Sequence, residues 1–287
     1  MKKTLLSAAG TIFIITVAAA FNWPQNEILS DSFHSYFGQY RGGRLSSSLI
    51  FSDSEEIKVC EKGRVLAVLG EHNEDSELFE SPLGNAMIVS HDDNMLTVYA
   101  NLDEDFQEER TKMNFVESGT AIGACSNSAW QESESCLEFK VIDTKNKVFI
   151  NPRILMPRVG QEAPLSLRGI TAVNKKGTEY DLITQDSLPS GSYSIYQQRQ
   201  RVTMPYRSRV YINGYTADSI TYDTLITKSG RLCTSGNTNY TSEEIYPSHD
   251  RILLGHVNIP KGKVKMNVVL EDILGKEKHM TITFTSK

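Results

Sequence analysis

An all-β fold in two units, an antiparallel β-domain followed by an immunoglobulin-like β-sandwich, is what the 287-residue sequence predicts. Three observations carry it. Apolar residues recur with period two in short runs, glycines punctuate those runs, and no segment sustains a 3.6-residue apolar period. Helices should therefore be few and short. The length favours two cores over one.

Taken in order, the first segment is an address. Lys2 and Lys3 precede a run over residues 5–20 that is apolar apart from scattered Ser, Thr and Gly, and Ala18-Ala19-Ala20 offers an A-x-A cleavage site before Phe21. This reads as a signal peptide over residues 1–20, of the short bacterial kind. The run is a little short to span a bilayer, so the chain is an integral membrane protein only if the signal stays uncleaved. The expectation is an exported protein, periplasmic or in the cell envelope.

The first unit, expected over residues 31–158, has strand runs at 56–59, 64–69, 86–89, 96–99, 137–142 and 148–150, with Gly63, Gly70, Gly84 and Gly119 between them. Acidic stretches at 71–80 and 103–109 read as exposed loops, the second long enough for a short helix. Pro152, Pro157 and Pro164 bracket a connector. The second unit, expected over 161–287, resumes with strands at 165–173, 191–196, 208–212, 219–223, 251–257 and 280–285. Turn signals at Asn213-Gly214 and Lys175-Lys176-Gly177, with that spacing, suggest the sandwich.

Composition excludes several classes. There are 30 Lys+Arg against 35 Asp+Glu, a net charge of −5, and mean hydropathy is −0.32. A polytopic membrane protein would be far more apolar, and 9% aromatic residues exclude a disordered chain. A sequence pI of 5.8 argues against a nucleic-acid partner. The net value conceals a polarity. Residues 53–138 hold 20 acidic and 5 basic side chains, whereas residues 139–287 hold 13 acidic and 21 basic. An acidic unit of that kind favours a basic protein partner over an anionic polymer.

Catalytic motifs are few. There is no G-x-S-x-G elbow, no glycine-rich phosphate loop and no C-x-x-C pair. Asp103-Glu104-Asp105 lacks the spacing of a calcium loop and reads as a solvated turn. Export permits a Cys125–Cys136 disulfide, which would contribute about 3 kcal/mol by closing a short loop. Cys60 and Cys233 read as small buried hydrophobes. In the second unit, Arg199 and Arg201, then Arg207 and Arg209, alternate among tyrosines. Each pair can face one side of a strand and build a contact patch. Cross-strand pairing with Asp218 and Asp223 is the alternative.

The stretch from Phe37 to Pro157 resembles the lysostaphin-like, LytM-type zinc endopeptidases of bacterial cell walls. Arg41-Gly42-Gly43-Arg44-Leu45 stands where that family has its Arg/Gly-rich lead-in to H-x-x-x-D. Gly84-Asn85 through Val89, His91 and Thr97-Val98-Tyr99-Ala100-Asn101-Leu102 are similar to its G-N-x-V-x-I-x-H and T-x-Y-x-H-L segments. Val116, Gly119, Ile122 and Gly123 follow V-x-x-G-x-x-I-G. Cys136-Leu137-Glu138-Phe139-Lys140 and Asn151-Pro152 follow H-L-H-F-E and N-P. The resemblance implies a tetrahedral zinc with three protein ligands and an open position for water. Ser46, Ile50 and Glu138 stand at the ligand positions. Asn101 and Cys136 replace the two further histidines. All five differ, so no metal and no cofactor is expected.

His91 matches a position outside the metal shell and reads as a strand-end hydrogen-bonding residue. His34 lies ahead of the lead-in, in a flexible segment. A site rebuilt from Cys136, Glu138, Cys60 and His91 is the alternative, opposed by the competing Cys125–Cys136 pairing. The family's fold implies that pairing, because it sets the Ile122-Gly123 strand beside residues 137–139.

The resulting expectation is an exported, non-catalytic pseudopeptidase that binds or regulates in the bacterial envelope. Its partner would be an envelope protein, for which the resemblance implies a cell-wall hydrolase, with peptidoglycan as the second candidate. An active zinc endopeptidase on peptidoglycan cross-bridges, with displaced ligands, is the competing reading.

Overall fold

Tyr99, Phe139 and Val141 point to one side of adjacent antiparallel strands, and Val98 and Ala100 to the other; all five are buried. In the computed structural model, which describes residues 21–26, 28–52, 55–70, 81–131 and 135–287, these strands sit mid-sheet and carry apolar side chains on both faces. The signal segment 1–20 and the acidic stretch 71–80 lie outside the described residues.

Among the described residues the sheet is ten-stranded and antiparallel. Its path runs Arg231–Thr234, Thr224–Lys228, Val148–Ile150, Glu138–Asp143, Met95–Ala100, Ala86–Ser90, Gly63–Leu69 and Phe115–Val116. Leu49–Phe51 also pairs with the Glu138–Asp143 strand and carries Phe33–Ser35 on its far edge. The strands expected in the first unit are present, with ends moved by at most a residue or two. In the second unit the expected 165–173 shortens to Thr171–Asn174, and the expected 219–223 and 280–285 begin earlier, as Tyr215–Thr221 and Glu277–Ser286. One face packs Met87, Val89, Tyr99, Phe139 and Val141 into the main core. The other covers a small cluster of Ala86, Val98 and Ala100.

That main core draws on both halves of the sequence. Phe37, Leu45 and Phe51 share it with Tyr222, Leu225, Tyr240, Ile245 and Tyr246. Residues 224–234 leave the second unit and extend the first sheet, with Leu225 opposite Phe149. The connector after the sheet is anchored as well. Asn151 caps the short helix Pro152–Ile154, and buried Arg153 pairs with Glu162 while its guanidinium lies over the Phe33 and Tyr36 rings.

The rest of the second unit is a sandwich. A four-stranded sheet (Glu179–Asp181, Thr171–Asn174, Gly191–Gln198, Arg251–Ile259) faces a five-stranded one (Ser187–Leu188, Glu277–Ser286, Gly262–Glu271, Arg207–Ile212, Tyr215–Thr221). Ile195, Val210, Leu254, Val264, Met266 and Val268 fill the space between. Asn213-Gly214 makes the expected two-residue hairpin, with φ of +51° and +87°, as a type I′ turn requires. The long Gly262–Glu271 strand was not among the expected ones. Its signal is the inward alternation of Val264, Met266 and Val268 with Lys263, Lys265 and Asn267.

The acidic stretch 103–109 leads into a short helix, Gln107–Lys112, and is not simply a solvated loop. Arg110 is fully buried there. It donates to the Ile122 carbonyl at 2.8 Å and pairs with Asp103 at 3.1 Å, and Asp103 also accepts from the Ala124 N–H at 2.7 Å. Asp103 thus holds the segment around Ile122 and Ala124 against the sheet.

Candidate functional site

Alternation places Glu138 and Lys140 on the same face of their strand, and register sets Glu138 beside Ile50 on one neighbour and Ala100 on the other. The carboxylate is 4% exposed as a residue and has four partners. One oxygen accepts from Ser48 Oγ at 2.8 Å and from Lys140 Nζ at 3.0 Å. The other accepts from Arg41 at 3.0 Å and from Gln131 Nε2 at 3.1 Å. Burial works to raise the Glu138 carboxyl pKa, but Lys140 and Arg41 outweigh it and hold the group below its ordinary value. It is an anion whose charge is already balanced.

The remaining positions implied by the resemblance are structural in their contacts. Ile50 is buried and offers no lone pair. Ser46 Oγ is spent on the Ser48 carbonyl at 3.2 Å. Asn101 adopts φ of +67° and clamps two segments, donating to the Cys136 carbonyl at 2.9 Å and accepting from the Ala129 N–H at 3.0 Å. Cys136 is joined to Cys125 in a disulfide with Cα atoms 5.4 Å apart. The Ile122-Gly123 strand does not run beside residues 137–139, however. It pairs with Ile57–Lys58 instead, and Cys125 reaches Cys136 through a bridge to Leu102, just past the end of the central strand.

This donor set does not fit zinc. An aliphatic side chain, a serine bonded to backbone and a carboxylate bound by two cations cannot supply three free ligands. The alternative set is also dispersed. His91 bonds the Lys62 carbonyl at 2.9 Å and Thr97 Oγ1 at 2.7 Å, and burial pushes its pKa down. Cys60 is buried, and burial pushes its thiol pKa far up. Among the described residues, no three of His, Cys, Asp or Glu come together as a metal site.

In front of the Arg41–Glu138 pair lies a cleft of about 360 Å³. Tyr40, Arg41 and Ile50 come from the first unit, and Arg199, Arg201 and His249 from the second. His34 also lines it, on a strand paired with Leu49–Phe51, so the segment ahead of the lead-in is ordered by pairing. Backbone contacts fix the two sides: Gln39 Nε2 donates to the Arg201 carbonyl at 3.2 Å, and Tyr246 Oη to the Gly38 carbonyl at 2.9 Å.

The four arginines fall into two places. Arg199 and Arg201 follow the Gly191–Gln198 strand and enter the cleft. Arg207 and Arg209 lie on the Arg207–Ile212 strand beside acidic partners. Arg209 pairs with Glu271 at 2.7 Å and with Glu277, and Arg207 reaches Glu271 at 3.6 Å. Their partners are Glu271 and Glu277 rather than Asp218 and Asp223. Asp218 accepts instead from Tyr240 and from the His256 backbone N–H. Ser194 and His256 form a further pair at 2.9 Å, but among the described residues no carboxylate is hydrogen-bonded to that imidazole to act as the third member of a nucleophilic triad.

Sequence reasoning did not reach Lys140, Gln131, Tyr40 or His249. Lys140 was discoverable, because i and i+2 share a strand face. His249 was not, because only the fold carries it across.

A protein-family model matches residues 164–287, which cover the sandwich. Among solved structures, a zinc containing peptidase from Vibrio cholerae aligns at 16% identity and TM-score 0.34, covering 49% of this chain and 40% of that one. The chain therefore spans under half of that peptidase. The catalytic domain of the prophage-encoded EnpA protein from Enterococcus faecalis aligns at 20% identity and TM-score 0.33, covering 42% of this chain and 87% of that one. Among curated proteins, an uncharacterized protein of Treponema pallidum (strain Nichols) is 33% identical over 129 residues, which is 40% of this chain and 82% of that protein. This chain belongs to the same family as that Treponema pallidum protein.

Proposed function

We propose that the chain is a non-catalytic binding module of the bacterial envelope, built on a LytM-type frame whose metal chemistry has been replaced by an internal ion-pair network. The observation that supports this most is Glu138. At this implied ligand position, which carries a carboxylate in place of the family's histidine, Arg41, Lys140, Ser48 and Gln131 occupy both oxygens. Freeing that carboxylate for a metal would strand two buried or half-buried cations. In this reading residues 31–158 supply the peptidase-like frame. The sandwich of 161–287 supplies docking, with 224–246 tying the two together. The partner is an envelope protein, and a cell-wall hydrolase is the class that the resemblance implies. The signal-like residues 1–20 lie outside the described residues and support export by sequence alone.

The test is metal analysis of the purified chain after zinc loading and desalting, with incubation on peptidoglycan and on glycine-rich peptides. No stoichiometric zinc and no cleavage are expected. Zinc near one equivalent that disappears in Glu138→Ala would overturn the reading and restore the endopeptidase with displaced ligands.

A further inference from the structure

We infer that the cleft between the Tyr40–Arg41 strand and the loop after Gln198 binds an acidic peptide segment of a partner protein. This deepens the binding-module reading and rests on it. The basic side chains lining the cleft are His34, Arg41, Arg199, Arg201 and His249, with no carboxylate among the described lining residues. In a chain of net charge −5 this is a local reversal of sign.

The arginines differ in what already holds them. Arg41 is neutralised from behind by Glu138. Arg199 and Arg201 have no ion-pair partner among the described residues. Arg199 lies over the Tyr246 ring at 5.2 Å, which fixes its plane. Stacking orients a guanidinium fork without consuming its donors, and a planar fork matches a carboxylate with two parallel hydrogen bonds. Arg207 and Arg209, satisfied by Glu271 and Glu277, show what the same side chain does when the fold itself supplies the acid.

Two features favour a peptide over a small anion. The volume of about 360 Å³ lies in the range of ligand pockets and exceeds what one phosphate fills. Among the described residues the Tyr40–Arg41 strand pairs with Arg44–Leu45 alone, in a two-stranded sheet of its own, and an extended peptide can add to an edge that carries no paired strand.

The test is a titration of the full exported chain with a labelled Gly-Glu-Gly-Glu-Gly peptide, its Gln-for-Glu counterpart, and inorganic phosphate as competitor. The Glu peptide should bind, and the Gln peptide should bind at least about tenfold more weakly. Arg199→Gln with Arg201→Gln should weaken the Glu peptide about tenfold or more at unchanged melting temperature. Arg231→Gln, on an exposed pair elsewhere, should leave it unchanged. Equal binding of the two peptides, no binding, or no loss in the double variant overturns the assignment. Displacement by phosphate at an affinity equal to the peptide's also overturns it, in favour of a phosphate site. Hydrolysis of the peptide during titration would instead overturn the non-catalytic reading and is scored separately, by mass.

Discussion

Ile50 and Glu138 are register partners across the antiparallel strands Leu49–Phe51 and Glu138–Asp143. An aliphatic side chain and a fully bonded carboxylate thus stand side by side at the two positions from which the resemblance would draw metal ligands. Both oxygens of that carboxylate are taken up by Ser48, Lys140, Arg41 and Gln131, while Ile50 lines the cleft beside it.

Glu138→Gln should destabilise the chain by about 2–4 kcal/mol at neutral pH, because it leaves Lys140 and Arg41 without their buried counter-charge. The folded pKa of Glu138 lies below its unfolded value. Its contribution is therefore complete above the unfolded value, about 4.3, and is lost as pH falls through the folded one. Denaturant melts of both proteins at falling pH should show their stabilities converging in acid. A gap that stays constant into strong acid would show that the carboxylate charge is not the cause.

The Cys125–Cys136 bridge closes a short loop, with a sequence separation of 11. Replacing both cysteines by serine should cost about 3 kcal/mol and lower the melting temperature by several degrees. A non-reduced peptide map should show the linked pair. Cys60 and Cys233, both buried, should resist alkylation until the chain unfolds.

Gly38 sits at the junction of the two halves, with φ of +81°, and a Cβ there would lie 2.7 Å from Tyr222 Cδ1. Gly38→Ala should lose about 2 kcal/mol or more through backbone strain and overlap together. Gly42→Ala isolates the first term, since φ is +53° but nothing lies within 4 Å. It should lose about 1 kcal/mol. Thermal melts of the two variants compare them directly, and equal losses would refute the role assigned to Tyr222.

Glu104→Lys with Glu108→Lys should slow association with a basic partner and make it less sensitive to salt, without moving the melting temperature. Glu108 is exposed and its pairing with Lys112 is a surface one. Asp103 is excluded from the reversal because it holds Arg110 and the Ala124 N–H. Stopped-flow association over a salt series reads the outcome, and an unchanged on-rate would remove this face from docking.

Much of the fold was legible because strands announce themselves locally. In 86–89 and 96–99 every second residue faces the main core, while Ala86 and Val98 pack into the small cluster on the other face, and Asn213-Gly214 follows from a turn that demands positive φ twice. The 224–234 hairpin was harder to read. Its apolar residues serve the core of the other unit, so its pattern has meaning only once the two sheets are in contact.

The sequence by itself determined the all-β class and most strand positions, because these depend on side-chain chemistry and on neighbours within a few residues. Only the tertiary structure decided that Glu138 is balanced by Arg41, that Arg199 and Arg201 part company with Arg207 and Arg209, and that His34 and His249 meet across one cleft. Each of these depends on contacts between residues far apart in the chain. Such contacts are selected by which apolar faces can bury one another, and no local pattern encodes that choice.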